Sequence, residues 1–477
     1  MSRLDPIQSF ANLRHEFGEH GGVNMSVEAS TTFTVIDPTT MPEIFQGHLG
    51  PDVGGCYLYG RHFNPTVYVL GRQIAAYEGA QAGYCTSSGM AAIAATIMQL
   101  CGTGDHVVAS RTVYGGTFAF LHDYLPAKGG VTTTFVDASD LAAVERAITP
   151  RTRVLYCESV SNPTLRIADI PRLAEIAHRH GATLVVDNTF TPLIVAPIQL
   201  GADVVVHSLT KFMNGASDHI AGAVCGTTEF IMQLMDLHTG SLMLLGPTMD
   251  PQVAFDISLR LPHLGLRMAE HSRRAHAIAT RLDELGLPVT YPGLANHPDH
   301  ALLKELANPD FGYGGILALE LGSRERAFEF MGLLQNEHQF GLMAVSLGYS
   351  ETLMSCSASS TSSEMPEEEL VKAGIRPGLV RMSIGYTGTL EQRWLRRVAD
   401  LRGAGQRPGT DSPDPAGAHA GGECRCCQGE PRGGCRGFGC PCNDHGNQYL
   451  PDSCLDCRIG RSRGPSCGSD TEYLQAT

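Results

Sequence analysis

The sequence lacks the features of membrane-spanning and secreted chains. No segment reaches the roughly 18 uninterrupted apolar residues that a membrane-spanning helix needs. The first twenty residues contain acidic side chains and no apolar core, which argues against both a secretory signal and an organellar transit peptide. We therefore expect a cytoplasmic protein that does not enter a membrane.

Basic runs are also missing. Lysine and arginine are scattered along the chain, and the formal net charge is −14. A nucleic-acid-binding surface needs clustered positive charge to neutralise phosphates, so we predict no DNA or RNA partner. Hydrophobic residues make up 43% of the 477 residues, which is enough to build two packed domains.

Cysteine is sparse until the carboxyl-terminal end of the chain. Six cysteines are dispersed over the first 400 residues, mostly in apolar company, as reduced buried thiols are. The other nine lie in a terminal stretch rich in glycine, proline, arginine and serine. That stretch has little aliphatic periodicity and cannot bury enough apolar surface to fold alone, so we predict that residues 403–477 form a disordered tail.

Two cysteine pairs in this tail have the spacing of zinc ligands, Cys424 with Cys427 and Cys454 with Cys457. Low-complexity sequence made of cysteine, glycine and arginine produces such pairs by chance. We therefore predict no metal site, and keep a zinc-binding tail as the alternative.

Strands and helices alternate through the first half of the chain. Short apolar, β-branched runs separated by helices imply a mostly parallel sheet covered on both faces, with a site at the carboxyl ends of its strands. The predicted strands are 106–110, 131–136, 153–159, 183–188 and 202–208, and the predicted helices are 68–82, 89–101, 140–148 and 171–180.

Beyond residue 262 the pattern changes. A long amphipathic helix at 264–285 is followed by extended segments at 314–321 and 378–385, with a helix at 323–336 between them. This order predicts a smaller α+β domain packed on the first one.

An aspartate and a lysine follow two of the buried strands. Asp187 ends the strand TLVVD, and Lys211 comes 24 positions later, just after the strand that ends in His207-Ser208. Pyridoxal 5'-phosphate requires such a pair, because a lysine amine forms a Schiff base with its aldehyde while a carboxylate keeps the pyridine nitrogen protonated. Alone, each residue would be an ordinary capping or surface residue.

The ordered strings VVDNTF and HSLTKF resemble the Cys/Met-metabolism family of pyridoxal phosphate enzymes, of fold type I. The resemblance covers about residues 16–402, and runs such as QFGLMAVSLGYSETLMSCS look most like the plant-type methionine γ-lyases. It implies the α/β pyridoxal phosphate-dependent transferase fold, similar to aspartate aminotransferase. The implied parts are an N-terminal arm at 1–60 that contributes to a dimer, a cofactor-binding domain at 61–262 and a C-terminal small domain at 263–402.

A phosphate site is predicted at the start of a helix. In CTSSGMAAIAATI, small residues let the backbone approach an anion, and the first N–H groups of the helix favour negative charge. The resemblance implies that the segment Ser88, Gly89 and Met90 holds the cofactor phosphate together with the hydroxyls of Ser208 and Thr210.

Four further residues match family positions around the cofactor ring and the substrate. Tyr114 matches the tyrosine that stacks on the ring and protonates the leaving group, and Asn162 matches the asparagine on the oxygen side of the ring. Arg381 matches the arginine that clamps the substrate α-carboxylate, although a structural salt bridge would also explain a buried arginine. Ser346 matches a residue on the loop at the substrate end.

The string YGRHFNPT resembles a family motif in which a tyrosine and an arginine reach the phosphate of the neighbouring subunit. Tyr59 and Arg61 fill those places, and a guanidinium suits bidentate phosphate contact. The resemblance therefore implies a homodimer as the minimum active unit and favours a homotetramer.

The activity implied by the resemblance is γ-elimination of the amino-acid substrate L-methionine to methanethiol, 2-oxobutanoate and ammonia. Lys211 would act as the base, and we expect burial and the cationic groups of the cofactor to favour a neutral lysine and an ionised Tyr114. Gly116 departs from the bacterial methionine γ-lyases, which carry cysteine there, and agrees with the plant-type enzymes and several sulfhydrylases.

Three related activities share every residue named so far, namely those of cystathionine γ-lyase, cystathionine γ-synthase and O-acetylhomoserine sulfhydrylase. A different class of hypothesis is a non-catalytic scaffold whose cysteine-rich tail binds a metal or a partner.

Overall fold

The computed structural model describes residues 4–13, 15–46, 48–50, 56–360 and 362–390. The predicted tail at 403–477, with its cysteine pairs, lies outside the described residues. Within the described part, no helix combines the length and the apolar character needed to cross a membrane, and no group of metal-binding side chains is found.

The first sheet has seven strands in the order β1-β7-β6-β5-β4-β2-β3. Only β7 runs antiparallel to its neighbours, which are β1 and β6. The strands are β1 (Ala82–Thr86), β2 (His106–Ser110), β3 (Thr132–Val136), β4 (Thr152–Glu158), β5 (Thr183–Asp187), β6 (Val204–Ser208) and β7 (Gly222–Gly226).

The second sheet has five strands in the order β10-β11-β12-β9-β8 and is mostly antiparallel, as expected for an α+β domain. Its strands are β8 (Val289–Thr290), β9 (Ile316–Glu320), β10 (Leu342–Met343), β11 (Leu353–Cys356) and β12 (Leu379–Ser383). A separate core of buried side chains packs on this sheet, including Leu317, Leu319 and Val380.

Fifteen α-helices occur in the described chain. They are α1 (Pro6–Ala11), α2 (Met41–Phe45), α3 (Pro65–Glu78), α4 (Gly89–Leu100), α5 (Gly115–Ala119), α6 (Leu125–Gly129), α7 (Leu141–Ala147), α8 (Ile170–Arg179), α9 (Thr228–Leu234), α10 (Ser241–Leu245), α11 (Pro251–Arg260), α12 (Leu264–Glu284), α13 (His300–Leu306), α14 (Arg324–Gly332) and α15 (Glu367–Lys372).

Local sequence signals explain the ends of α3. The Asn64 side chain accepts hydrogen bonds from the N–H groups of Thr66 and Val67, which would otherwise lack partners in the first turn. Proline occupies the first helical position, and Gly79 ends the helix in the left-handed region that glycine adopts without steric cost.

The structure confirms the predicted fold class, a mostly parallel α/β sheet with a smaller α+β part. The boundaries of the predicted elements agree with the observed ones within four residues. In the first sheet, the sequence pattern did not predict β7, which runs antiparallel beside β6, or β1, which lies beside β7 at the edge of the sheet.

The topology places three strand ends side by side. Glu158 at the end of β4 is paired with Asp187 at the end of β5, and Asp187 is paired with Val206 of β6. The chain leaves β6 through Ser208 and reaches Lys211. Because these strands are parallel, their carboxyl ends form one edge, and side chains from several segments meet there.

Candidate active site

The Lys211 amine, from the loop after β6, contacts a residue of the segment between β10 and β11. Its Nζ donates a hydrogen bond to Ser346 Oγ at 2.8 Å. Burial disfavours the ammonium form and nearby Arg381 repels it, so the pKa of Lys211 is lowered to about 8. A lysine with this pKa is partly neutral near physiological pH, as the sequence led us to expect, and can act as a nucleophile or a base.

Asp187 is a buried carboxylate with neutral hydrogen-bond partners. Its Oδ1 accepts from the Thr189 N–H at 2.9 Å, and the Tyr156 hydroxyl donates to Oδ2 at 3.4 Å. Burial raises the pKa of Asp187, because the charged form has lost its hydration. A cation placed against Asp187, such as a protonated ring nitrogen, would offset that cost.

The start of α4 forms a concave surface beside β6. Ser88 caps the helix, with its Oγ accepting from the Ala91 N–H at 3.1 Å. A Cβ added at Gly89 would lie 2.7 Å from Ser208 Cβ, so only glycine allows the two segments to approach this closely. The N–H groups of Gly89 and Met90 belong to the first turn, where they have no intrahelical acceptor.

Thr210 does not present its hydroxyl hydrogen to this surface. Its Oγ1 donates to the Ala221 carbonyl at 3.2 Å and accepts from the Ala221 N–H at 3.0 Å. Ser208 therefore matches its predicted place beside α4 more closely than Thr210 does.

Tyr114 stands just before α5 with 40% of its surface exposed. A Cβ at Gly116 would lie 2.6 Å from Cε1 of the tyrosine ring, so the ring occupies space that only glycine leaves open. Burial, and then the negative charge of Glu364, raise the pKa of Tyr114. The protein's own groups therefore favour the protonated phenol, and the ionised form, which depends on the cationic groups of the cofactor, stays a prediction.

Arg381 is buried in β12, and the partners of its terminal nitrogens are neutral oxygens. Nη1 donates to Asn162 Oδ1 at 3.0 Å and Nη2 to the Ser346 carbonyl at 2.8 Å, while Nε has no partner among the described residues. Burial lowers the pKa of Arg381 to about 10. The alternative of a structural salt bridge is absent from the described residues, and a carboxylate ligand would supply the missing negative charge.

Glu158 is a functional candidate that the sequence reasoning missed. Its Oε1 accepts from the Tyr114 N–H at 2.7 Å and its Oε2 from the Asn162 N–H at 2.8 Å. Burial and the neighbouring Asp187 charge raise its pKa. The available signal was its position, since it ends the buried strand RVLYCE as Asp187 ends TLVVD.

Tyr59 and Arg61 stand apart from this cluster. Arg61 Nη1 donates to the Met243 carbonyl at 2.8 Å, and the guanidinium lies 5.6 Å from the centre of the Tyr59 ring. Neither side chain hydrogen-bonds to the group around Lys211 in the described residues. Their predicted role at the site of a second subunit stays a prediction.

These side chains fit pyridoxal phosphate. Lys211 offers an amine of lowered pKa, Asp187 is a buried carboxylate short of a cation, and α4 begins with the close approach that Gly89 permits. These three features suit the cofactor's aldehyde, its ring nitrogen and its phosphate, in that order.

Known proteins similar to this chain agree with that fit. The family model for Cys/Met metabolism PLP-dependent enzymes matches residues 10–390. Methionine gamma-lyase of Arabidopsis thaliana is 60% identical over 393 residues, which cover 82% of this chain and 89% of the plant protein. Cystathionine gamma-lyase of Bacillus subtilis is 39% identical, over 69% of this chain and 84% of the bacterial protein.

Solved structures confirm the fold. A putative O-acetylhomoserine (thiol)-lyase of Campylobacter jejuni, which contains a pyridoxyl-lysine phosphate residue, has a TM-score of 0.74 at 29% identity, covering 84% of this chain and 99% of its own. Cystathionine gamma-lyase of Lactobacillus plantarum, complexed with L-serine, has a TM-score of 0.71 at 31% identity, covering 83% and 97%.

Proposed function

Because this chain belongs to the family of Cys/Met metabolism PLP-dependent enzymes, we propose that it is a carbon-sulfur lyase that converts L-methionine to methanethiol, 2-oxobutanoate and ammonia. The observation that carries the choice of substrate is the 60% identity to the Arabidopsis methionine gamma-lyase. The cystathionine gamma-lyase of Bacillus is 39% identical, a much lower value.

The chain's own residues would hold the cofactor at the edge formed by β4, β5 and β6. The first N–H groups of α4, at Gly89 and Met90, and the hydroxyls of Ser88 and Ser208 would hold its phosphate, and Asp187 would pair with the ring nitrogen. When bound, pyridoxal phosphate supplies an aldehyde for the lysine amine and a ring that withdraws electrons from the substrate α-carbon.

Substrate binding and proton transfer follow from the remaining residues. Arg381, held by Asn162 and the Ser346 carbonyl, binds the substrate carboxylate and fixes the orientation of the α-carbon. Neutral Lys211 removes the α-proton, and a second deprotonation, at the β-carbon, supplies the electron pair that expels the γ-sulfur. Protonated Tyr114 gives a proton to that departing sulfur.

The assembly, the domain division and the location belong to the same proposal. We propose an arm at 1–60, a cofactor-binding part at 61–262 that contains the first sheet, and a small part at 263–402 whose described residues contain the second sheet. The arm carries exposed apolar side chains, among them Phe17, Val23 and Ile36, whose burial by another subunit would be favourable. We propose a homodimer in which Tyr59 and Arg61 complete the neighbouring site, pairing into a homotetramer in the cytoplasm.

The test is a comparison of substrates on the purified, pyridoxal-phosphate-loaded protein. Production of 2-oxobutanoate from L-methionine is measured beside turnover of L-cystathionine and of O-acetylhomoserine with sulfide, with Lys211→Ala as the control. We expect methionine turnover clearly above the others and none in the control. Preference for cystathionine or O-acetylhomoserine would instead assign transsulfuration or sulfhydrylation. A biological role that survives in Lys211→Ala would support the scaffold hypothesis.

A further inference from the structure

One buried carboxylate touches both halves of the proposed site and has no role in the proposed reaction. We propose that Glu158 is a positioning residue that sets the separation of Tyr114 and Asn162, and so ties the proton donor to the carboxylate clamp. This inference rests on the proposed function, in which Tyr114 and Asn162 face the cofactor and the substrate.

The contacts of Glu158 are divided evenly between the two segments that it would position. Its side chain is 7% exposed at the end of β4, and each carboxylate oxygen accepts one main-chain N–H. The Tyr114 N–H lies 2.7 Å from Oε1, and the Asn162 N–H lies 2.8 Å from Oε2. Tyr114 lies in the loop between β2 and α5, and Asn162 lies in the loop between β4 and α8. The carboxylate therefore fixes two different loops to the rigid edge of the sheet.

The hydrogen bonds continue beyond Asn162. Its side-chain oxygen accepts from Arg381, whose other terminal nitrogen donates to the Ser346 carbonyl. The hydroxyl of Ser346 accepts from Lys211 Nζ. Glu158 therefore stands in one continuous series that runs from Tyr114 to Lys211 and contains the proton donor, the carboxylate clamp and the base.

A carboxylate is the side chain that suits this place. Two main-chain N–H groups need two acceptors, and a carboxyl group offers an acceptor on each of its two oxygens. Glutamine would keep one acceptor and turn its amide hydrogens toward the other donor. Alanine would leave both buried N–H groups without partners.

A purely structural role makes a different prediction from a positioning role. If Glu158 only satisfies two buried donors, its loss lowers stability without changing how the site handles cofactor and substrate. If it positions Tyr114 and Asn162, its loss changes both kcat and KM, and also the asymmetric surroundings of the bound cofactor.

Glu78→Gln provides the matched control. Glu78 is also a buried carboxylate of the same domain, but it contacts His207 Nε2 at 2.7 Å and Asn188 Nδ2 at 3.0 Å and does not touch the Tyr114 or Asn162 loops. Glu158→Gln and Glu158→Ala are compared with it in the cofactor-loaded protein, using kcat, KM and the circular dichroism of the bound cofactor's absorption band.

We expect Glu158→Ala to lose about 10- to 100-fold in kcat/KM, with kcat lowered and KM raised, because small displacements of positioned groups cost this much. Glu158→Gln is expected to lose less, and both variants to change the cofactor dichroism. Glu78→Gln should keep the wild-type KM and dichroism. Wild-type kcat, KM and dichroism in Glu158→Gln and Glu158→Ala would overturn the proposal, as would an equal change of KM and dichroism in Glu78→Gln.

A double-mutant cycle tests the route through Tyr114. In a Tyr114→Phe background there is no phenol hydroxyl to place, so Glu158→Ala should lower kcat less than about threefold further. An undiminished loss in that background would overturn the proposal. If Glu158→Ala does not fold, Glu158→Gln takes its place in the cycle.

Failure of the two proposals can be told apart. A wild-type protein that is inactive on methionine but turns over another substrate contradicts the proposed function, and the same variants are then measured on that substrate. A wild-type protein that turns over methionine while the Glu158 variants match it contradicts only the positioning role.

Discussion

Lys211 and Tyr114 show how one environment can prepare both a base and an acid. Burial penalises the charged form of each side chain, so the pKa of the lysine falls to about 8 and the pKa of the tyrosine rises. Near physiological pH the phenol is therefore protonated, and a larger fraction of the amine is neutral than in an ordinary lysine. The amine can accept a proton and the phenol can donate one.

The lowered pKa of Lys211 predicts the pH dependence of cofactor capture by the cofactor-free protein. Only the neutral amine attacks an aldehyde, so the capture rate should rise as pH increases toward about 8 and level off above it. An ordinary lysine would give a rate that still rises to about pH 10. Stopped-flow absorbance of Schiff-base formation between pH 7 and 10 measures the capture rate.

Because Arg381 contributes to the lowered pKa of Lys211, Arg381→Met should move the plateau of the capture rate to higher pH. A wild-type rate that still rises above pH 9 would contradict the prediction.

A second prediction concerns the effect of a side chain at position 116 on kcat. In Gly116→Ala the new Cβ would lie 2.6 Å from the Tyr114 ring, which must move away from its present place. We expect kcat to fall about 10- to 100-fold, with little loss of stability because the ring is partly exposed. Kinetics and thermal unfolding measure the two quantities. Gly332→Ala is the control, since nothing lies within 4 Å of its added Cβ, and an unchanged kcat in Gly116→Ala would show that the ring position is unimportant.

Sequence reasoning found some members of the site more easily than others. Lys211, Asp187 and Tyr114 stand in strings that resemble a known family. In the structure, the segments that carry them meet at the edge formed by the carboxyl ends of β4, β5 and β6. Glu158 carries no such string, and a glutamate at the end of a strand is usually a solvated residue. Its importance depends on two donors from separate loops, and such contacts appear only in three dimensions.

Strands were predicted where their own residues form an apolar, β-branched run. The strands β5 and β6 are rich in valine, β4 contains the apolar run VLYC, and all three were recognised. By contrast, β1 reads AGYCT and β7 reads GAVCG. Small residues are required there because α3 approaches closely: a Cβ at Gly83 would lie 2.6 Å from the Gly71 carbonyl oxygen. That requirement comes from tertiary packing, which a strand-by-strand reading cannot detect.

Helix α12 holds the loop that follows Lys211. The buried Arg267 guanidinium donates to the carbonyls of Phe212, Met213 and Arg260, with the last two at 2.9 and 3.2 Å. Burial lowers the pKa of Arg267, and main-chain oxygens take the place of water around it. The long helix thus fixes the backbone immediately after the lysine.

Replacing this arginine should weaken both the fold and the cofactor site. Arg267→Met leaves buried carbonyls without donors, so the free energy of unfolding should fall by about 2–4 kcal/mol. Urea unfolding measures the loss, and cofactor titration should show weaker binding because the Lys211 loop is released. Arg273→Met is the matched control on the same helix: its exposed pairing with Glu270 should be worth less than about 1 kcal/mol. Equal losses in the two variants would contradict the role of Arg267.

The complete molecule draws its site from distant parts of the chain. Asp187 ends β5 of the first sheet, and Lys211 lies in the loop after β6. Ser346 lies in the loop between β10 and β11 of the second sheet, and Arg381 lies in β12. If the assembly is the proposed dimer, Tyr59 and Arg61 add a contribution from another subunit, which the contacts of a single chain do not reveal.

Subunit exchange tests that contribution. A variant with Tyr59→Phe and Arg61→Ala keeps Lys211, and a Lys211→Ala variant keeps Tyr59 and Arg61. Each alone should be nearly inactive. Mixed dimers should contain one site with both wild-type contributions and regain up to about half the wild-type activity per site. Proven mixing, by differently tagged subunits that co-purify, without recovered activity would show that the sites are not shared.

The series of hydrogen bonds from Tyr114 to Lys211 also has a consequence for folding. The contact between Asn162 and Arg381 joins residues 219 positions apart, and that between Lys211 and Ser346 joins residues 135 positions apart. Closing such long loops costs entropy, so these contacts form after local helices and neighbouring strands. A refolding chain should recover its helical signal before it can capture pyridoxal phosphate, and the cofactor would then serve as a reporter of the completed native state.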